Sequence, residues 1–125
     1  MTTFELKRCF RDELSGLYDE RELEAVLGII LEDVLNYSTV DAAIRGDFEQ
    51  PALLCERFMA CVERLKRHEP VQYVTGKARF HGHTFKVTPA TLIPRPETER
   101  LVDIIVDEND RADLRVLDIG TGSGC

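Results

Sequence analysis

The sequence lacks any apolar run approaching the ~20 residues that a membrane-spanning helix needs. Its first ten residues, MTTFELKRCF, are polar and amphipathic, without the apolar stretch of a secretion signal. These two absences predict a cytoplasmic protein with no membrane contact. Cysteine is scarce and scattered, at positions 9, 55, 61 and 125, so no disulfide framework is expected. Cys55 and Cys61 also lack the C-x₂₋₄-C spacing that closes two thiolates on one zinc ion, and the thiols read as small hydrophobes. An excess of positive charge is missing too. With 16 basic against 23 acidic side chains and a formal charge of −7, the chain is poorly suited to sequence-independent nucleic-acid binding, which draws its affinity from phosphate neutralisation.

What is present is 125 residues, 43% of them hydrophobic, enough for one ordinary domain with a core of its own. Charge is segmented: residues 1–63 carry a net −8, residues 64–100 a net +5 and residues 101–125 a net −4. The basic middle, from Arg64 to Lys86, is either a solvated mixed surface or a face for an acidic partner, with Arg64, Lys66 and Arg67 as candidate contacts.

The first half has a helical period. Thr2-x-x-Glu5 is a possible capping box ahead of Phe4, Leu6, Phe10, Leu14 and Leu17, in a helix ending near Gly16. Asp19 is a second cap, ahead of Leu23, Val26, Leu27, Ile30, Leu31, Val34 and Leu35 at i, i+3, i+4 and i+7. Ser38 and Asp41 predict a short third helix ending near Gly46. Pro51 precedes a fourth, with Leu54, Phe58, Cys61, Val62 and Leu65 on one stripe and an end near His68. These stripes are core, so residues 1–68 read as a helical bundle for packing or docking, without chemistry of its own.

Glu69-Pro70 ends that pattern, because proline disfavours the helical conformation in the residue before it. The chain beyond Pro70 is β-like. Lys77–His81 and His83–Val87 alternate around Gly82, which predicts a hairpin with Ala78, Phe80, Phe85 and Val87 on one face. His81 and His83 flank the turn and read as exposed strand ends, since two histidines without a third ligand do not make a metal site. Pro94-Arg95-Pro96 then holds the chain extended, and Pro96 suits the first position of a helix that carries Leu101, Val102, Ile104 and Ile105 inward.

The last eleven residues are the most informative. Arg115–Ile119 reads as a short apolar strand running into Gly120-Thr121-Gly122-Ser123-Gly124. A strand leading into a glycine turn is how an open α/β sheet begins a nucleotide site, because glycine admits φ > 0 and lets ligand atoms approach backbone N–H groups. The dinucleotide fingerprint G-x-G-x-x-G would need glycine where Cys125 stands. The spacing, with Asp118 two residues before the first glycine, fits S-adenosyl-L-methionine better than a pyrophosphate. A dinucleotide enzyme and a purely structural turn remain the other readings of these residues.

Three segments together, Glu69–Gly76 (EPVQYVTG), Leu92–Glu99 (LIPRPETE) and Val116–Cys125 (VLDIGTGSGC), resemble in order and spacing the HemK/PrmC family. Its members are protein-(glutamine-N5) methyltransferases of peptide chain release factors. Over residues 1–68 the likeness is one of pattern and length alone, to the family's release-factor-docking bundle. A sister branch methylates a glutamine of a ribosomal protein; Pro96-Glu97-Thr98-Glu99 favours the release-factor branch. The resemblance implies that Gly120, Thr121, Gly122, Ser123 and Gly124 bind S-adenosyl-L-methionine, and that Arg95 and Thr98 lie close to it. Two family features are missing from the 125 residues: the acidic residue that holds the ribose hydroxyls and the Asn-Pro-Pro-Tyr motif that grips the substrate amide.

The expected fold class is mainly α: an N-terminal helical bundle (1–68), a hairpin linker (69–93) and the truncated start of a Rossmann-like α/β methyltransferase domain (94–125). The expected function is that of the N-terminal piece of a release-factor glutamine methyltransferase, inactive by itself, with no metal. The alternative is a stand-alone helical protein-binding module. A single parallel strand cannot make a sheet, so residues 112–125 are expected to be mobile, or held by another chain or a non-native contact.

Overall fold

Helix α1, Thr3–Leu14, starts where Thr2 and Glu5 place it: Thr2 Oγ1 accepts from the Glu5 N–H at 3.2 Å and the Glu5 carboxylate accepts from the Thr2 N–H at 2.8 Å. The two N–H groups left over in this first turn have no intrahelical acceptor. They find carbonyls further along the chain, Thr3 donating to Phe48 at 3.1 Å and Phe4 to Gly46 at 2.8 Å. The loop after the third helix is thereby fastened to the start of the first. Thr3 is fully buried there and accepts from Gln50 Nε2 at 2.9 Å.

The computed structural model describes residues 1–125 as two compact units, Met1–Thr75 and Gly76–Cys125. In the first unit, α1 leads to α2 (Glu20–Leu35), α3 (Thr39–Ile44), α4 (Ala52–Lys66) and α5 (Val71–Thr75). Asp19 caps α2 through the Glu22 N–H at 2.8 Å, and Ser38 with Asp41 forms a full capping box on α3. Asn36, in the left-handed region at φ 56°, ends α2, and the N–H of the next residue, Tyr37, returns to the Leu31 carbonyl at 3.3 Å.

The stripes expected from the sequence meet in one core. Phe10 of α1 and Phe58 of α4, both fully buried, pack edge to face with ring centroids 6.0 Å apart, among Leu6, Leu14, Leu27, Ile30, Val62 and Leu65. Cys55 and Cys61 lie half-buried against this core as apolar filler. Two residues assigned to the first stripe do not belong to it: Phe4 and Leu17 are exposed, one at the first turn and one beyond the last. Arg11 and Glu24 tie α1 to α2 through a two-pronged pair at 2.5 and 2.9 Å, and Lys66 reaches Glu13 at 2.7 Å. Such exposed pairs add little, because solvent screens them.

Helix α5 lies beyond the point where the sequence pattern suggests that helix ends. His68, at φ 60°, does stop α4, but Pro70 then opens a new turn, its carbonyl accepting from the Tyr73 and Val74 N–H groups. Proline suits a helix start because the N–H it lacks would be unpaired there anyway. Arg64 closes this turn from outside. Its guanidinium forks onto the Glu69 carboxylate and also donates to the carbonyls of Val74, at 3.0 Å, and Tyr73, at 3.1 Å.

In the second unit, β1 (Lys77–Phe80) and β2 (His83–Lys86) form the expected antiparallel hairpin, in the register Ala78 to Phe85 and Phe80 to His83. That register puts Phe80 and Phe85 on one face, rings 6.3 Å apart. The turn needs positive φ at both central residues, and His81 (46°) and Gly82 (75°) supply it. His81 therefore sits in the turn itself instead of flanking it. Helix α6 runs from Pro96 to Glu108 with Pro96 at its first position, as expected. It fully buries none of its residues, however: of the expected inward face Leu101, Ile104 and Ile105 are exposed and Val102 is half-buried. Arg115–Ile119 forms no strand: nothing lies alongside it to complete a ladder, and Val116, Leu117 and Ile119 are 84%, 83% and 86% exposed.

Two measurements test this packing. Phe58→Ala is expected to cost about 3–5 kcal/mol, the usual loss for a buried phenylalanine, read from urea unfolding monitored by far-ultraviolet circular dichroism. A loss within the range of surface substitutions would contradict the central place given to that ring. Arg64→Ala is expected to leave the long helices intact while the amides of α5 lose protection against hydrogen exchange; unchanged protection would show that the fork does not hold α5.

Candidate functional site

The residues singled out for chemistry lie on two stretches of the second unit. The first is the approach to α6. Thr88 and Thr91 close a local turn, the Thr88 N–H donating to Thr91 Oγ1 at 3.1 Å and that hydroxyl donating to the Thr88 carbonyl at 3.0 Å. The chain then runs through Pro94-Arg95-Pro96 with Arg95 extended, at φ −97° and ψ 141°, as a residue before proline must be. The Arg95 carbonyl accepts from the Thr98 N–H at 3.0 Å and so opens the helix. Glu97 and Glu99 stand in the first turn, where carboxylates suit the positive end of the helix dipole.

The second stretch is Gly120–Gly124. All three glycines have positive φ, 77°, 59° and 88°, a conformation costly for residues with a Cβ. The loop closes through the Gly124 N–H and the Thr121 carbonyl at 2.9 Å. A Cβ at Gly120 or Gly124 would meet open space, so these glycines are required by backbone conformation and not by crowding. The Ser123 hydroxyl is buried with no hydrogen-bond partner, which is unusual and marks a donor and acceptor left over. Thus Gly120, Thr121, Gly122, Ser123 and Gly124 form one continuous turn, while none of its hydrogen bonds reaches Arg95 or Thr98.

Elsewhere the candidates resolve differently. Arg64, a possible partner contact by its sequence, is committed to Glu69 and α5, and Lys66 to Glu13 and Glu63. The guanidinium beside it holds the Glu69 carboxyl below the usual carboxylate range, and burial pushes the half-buried Cys61 thiol up, away from the reactive thiolate. No group of three or more His, Cys, Asp or Glu side chains is placed to hold a metal ion, and no helix is long and apolar enough to cross a membrane. One polar cluster is not foreshadowed by any motif. The His81 N–H donates to Glu99 at 2.8 Å, and its ring Nε2 lies 2.7 Å from Asp103. Its only signal in the sequence is the spacing of two acids four apart on one helix face, which points to no particular partner.

A family model described as the PrmC N-terminal domain matches residues 5–76. The chain belongs to the PrmC family. The match covers the helical bundle and the Glu69–Gly76 segment. Curated relatives extend the likeness over the rest. The release factor glutamine methyltransferase of Bacteroides thetaiotaomicron is 43% identical over 115 residues, covering 92% of this chain and 41% of the relative. Those of Flavobacterium psychrophilum (39% over 120 residues, 93% and 42%) and Neisseria gonorrhoeae (40% over 116 residues, 90% and 40%) are similar in extent. The chain thus spans about two-fifths of the length of the curated relatives it matches.

The positive φ of the loop gives a direct test. Gly122→Val should force the turn out of its present conformation at a cost of about 1–2 kcal/mol for a left-handed residue. The expected sign is loss of the Gly124 to Thr121 hydrogen bond in amide temperature coefficients, with α6 unaffected; retention of that bond would show that the turn does not depend on glycine.

Proposed function

We propose that this chain is the N-terminal part of an enzyme that methylates the side-chain amide nitrogen of a glutamine in peptide chain release factors, with S-adenosyl-L-methionine as methyl donor. The observation that carries the reading is its likeness, over 90–93% of its length, to proteins named release factor glutamine methyltransferase. In this reading residues 1–68 dock the release factor, residues 69–93 link, and residues 94–125 begin the methyltransferase domain. Translation termination is then the process served, and the cytoplasm the place.

The loop residues fit the cofactor. Gly120 and Gly122 have no Cβ to block close approach to the backbone, and Ser123 has a hydroxyl without a partner. When bound, S-adenosyl-L-methionine supplies an activated methyl group on a sulfonium. An amide nitrogen is a poor nucleophile because its lone pair is delocalised, so the enzyme's main work is to position that nitrogen and accept hydrogen bonds from its N–H groups. Residues 1–125 include no Asn-Pro-Pro-Tyr motif for that positioning. They are therefore assigned binding and orientation, and no transfer by themselves.

The test pairs titration calorimetry with capture. The chain is expected to retain release factor in a pull-down, to bind S-adenosyl-L-methionine more weakly than micromolar, and to leave the factor's glutamine unmethylated by mass spectrometry. Micromolar or tighter cofactor binding, or methylation, would overturn the claim that the site is incomplete. Failure to capture release factor would overturn the docking assignment.

A further inference from the structure

Helix α6 buries no residue fully, and among its apolar side chains Val102 is half-buried while Leu101, Ile104, Ile105 and Val106 are exposed. A turn residue ties it to the hairpin. His81 is held at φ 46° by the two-residue turn, which turns both its N–H and its ring toward α6. The N–H donates to Glu99 Oε1 at 2.8 Å and ring Nε2 meets Asp103 Oδ1 at 2.7 Å. Glu99 and Asp103 are four apart and share one helix face. One residue thus grips two successive turns of the helix.

We propose that His81 is a pH-responsive latch, fastening α6 to the hairpin turn through Asp103 and Glu99. Asp103 first and Glu99 second are the charged groups that act on the imidazole, both from α6; His83, across the turn, meets the Phe85 ring edge-on with centroids 6.5 Å apart. Two carboxylates facing one imidazole raise its proton affinity above the ordinary 6.5, with the Asp103 hydrogen bond the largest cause. A group whose folded pKa is raised contributes fully below its unfolded pKa, and that contribution is lost as pH rises through the folded value. The latch is therefore closed by a charged pair in mildly acid solution and weakens as pH rises through the raised His81 pKa. It does not open fully, because a neutral ring still hydrogen-bonds Asp103 and the Glu99 contact uses a backbone N–H that does not titrate. Because α6 begins at Pro96, its hold also orders the Leu92–Arg95 segment; that this bears on cofactor binding rests on the function proposed above, whereas the latch does not.

Nuclear magnetic resonance on the intact chain tests it without cofactor or substrate. The His81 ring is expected to titrate above the ordinary histidine range and to return to it in Asp103→Asn. Corrected protection factors of the α6 amides should fall as pH rises through that titration, by no more than about fivefold for a pair this exposed. The same fall should be absent in Asp103→Asn and in His81→Asn, which keeps a residue tolerant of positive φ. An ordinary His81 titration, or α6 protection with the same pH profile in wild type and both variants, would overturn the proposal.

Discussion

Phe10 against Phe58 is the contact on which the first unit depends. Each ring is the midpoint of a helical stripe, and their burial fixes which face of α1 and which face of α4 turn inward. Once those faces are chosen, α2 has one place to lay Leu23, Leu27, Ile30 and Val34, and the charged residues fall outward without further instruction. The caps set the phase of each stripe. Thr2, Asp19 and Ser38 each start a helix at the residue that brings the first apolar position to the core. Local chemistry and burial agree along this stretch, and that agreement is what lets a sequence specify one arrangement.

The second unit shows what happens when the partner surface is missing. An amphipathic helix and an apolar strand are halves of an interaction, and neither period nor composition states whether the other half is in the same chain. Leu101, Ile104 and Ile105 have the spacing of a buried face and are exposed; Val116, Leu117 and Ile119 have the composition of a core strand and pair with nothing. The reasons are the same in both cases. A sheet ladder needs a neighbour, and apolar area leaves water only against other apolar area. The local features of the unit, by contrast, are as the sequence suggests: Pro96 at the helix start and the register around His81-Gly82 depend only on φ and on nearest neighbours.

The same division separates what is legible in the site from what is not. The glycine turn is legible because positive φ is a property of single residues, and all three glycines adopt it. The unpaired Ser123 hydroxyl is not, since whether a polar atom finds a partner depends on everything around it. Arg64 is instructive. A basic residue in a basic stretch suggests a partner, yet its planar fork matches the Glu69 carboxylate and two carbonyls of α5 close by in the chain, and intramolecular bonds claim it first. α5 itself is hidden for a related reason: Pro70 reads as a stop, when proline equally serves as a start.

The two units are consequently held by interactions with different sensitivities. Apolar burial around Phe10 and Phe58 relies on no carboxylate, imidazole or amine and changes little with moderate salt. The arrangement of α6 rests on carboxylates and an imidazole at the surface, where screening and protonation both act. Mild changes of solution therefore reach the helix that begins at the Pro94-Arg95-Pro96 segment well before they disturb the bundle. The segment before α6 is in this way left adjustable, while the bundle is built on an apolar core.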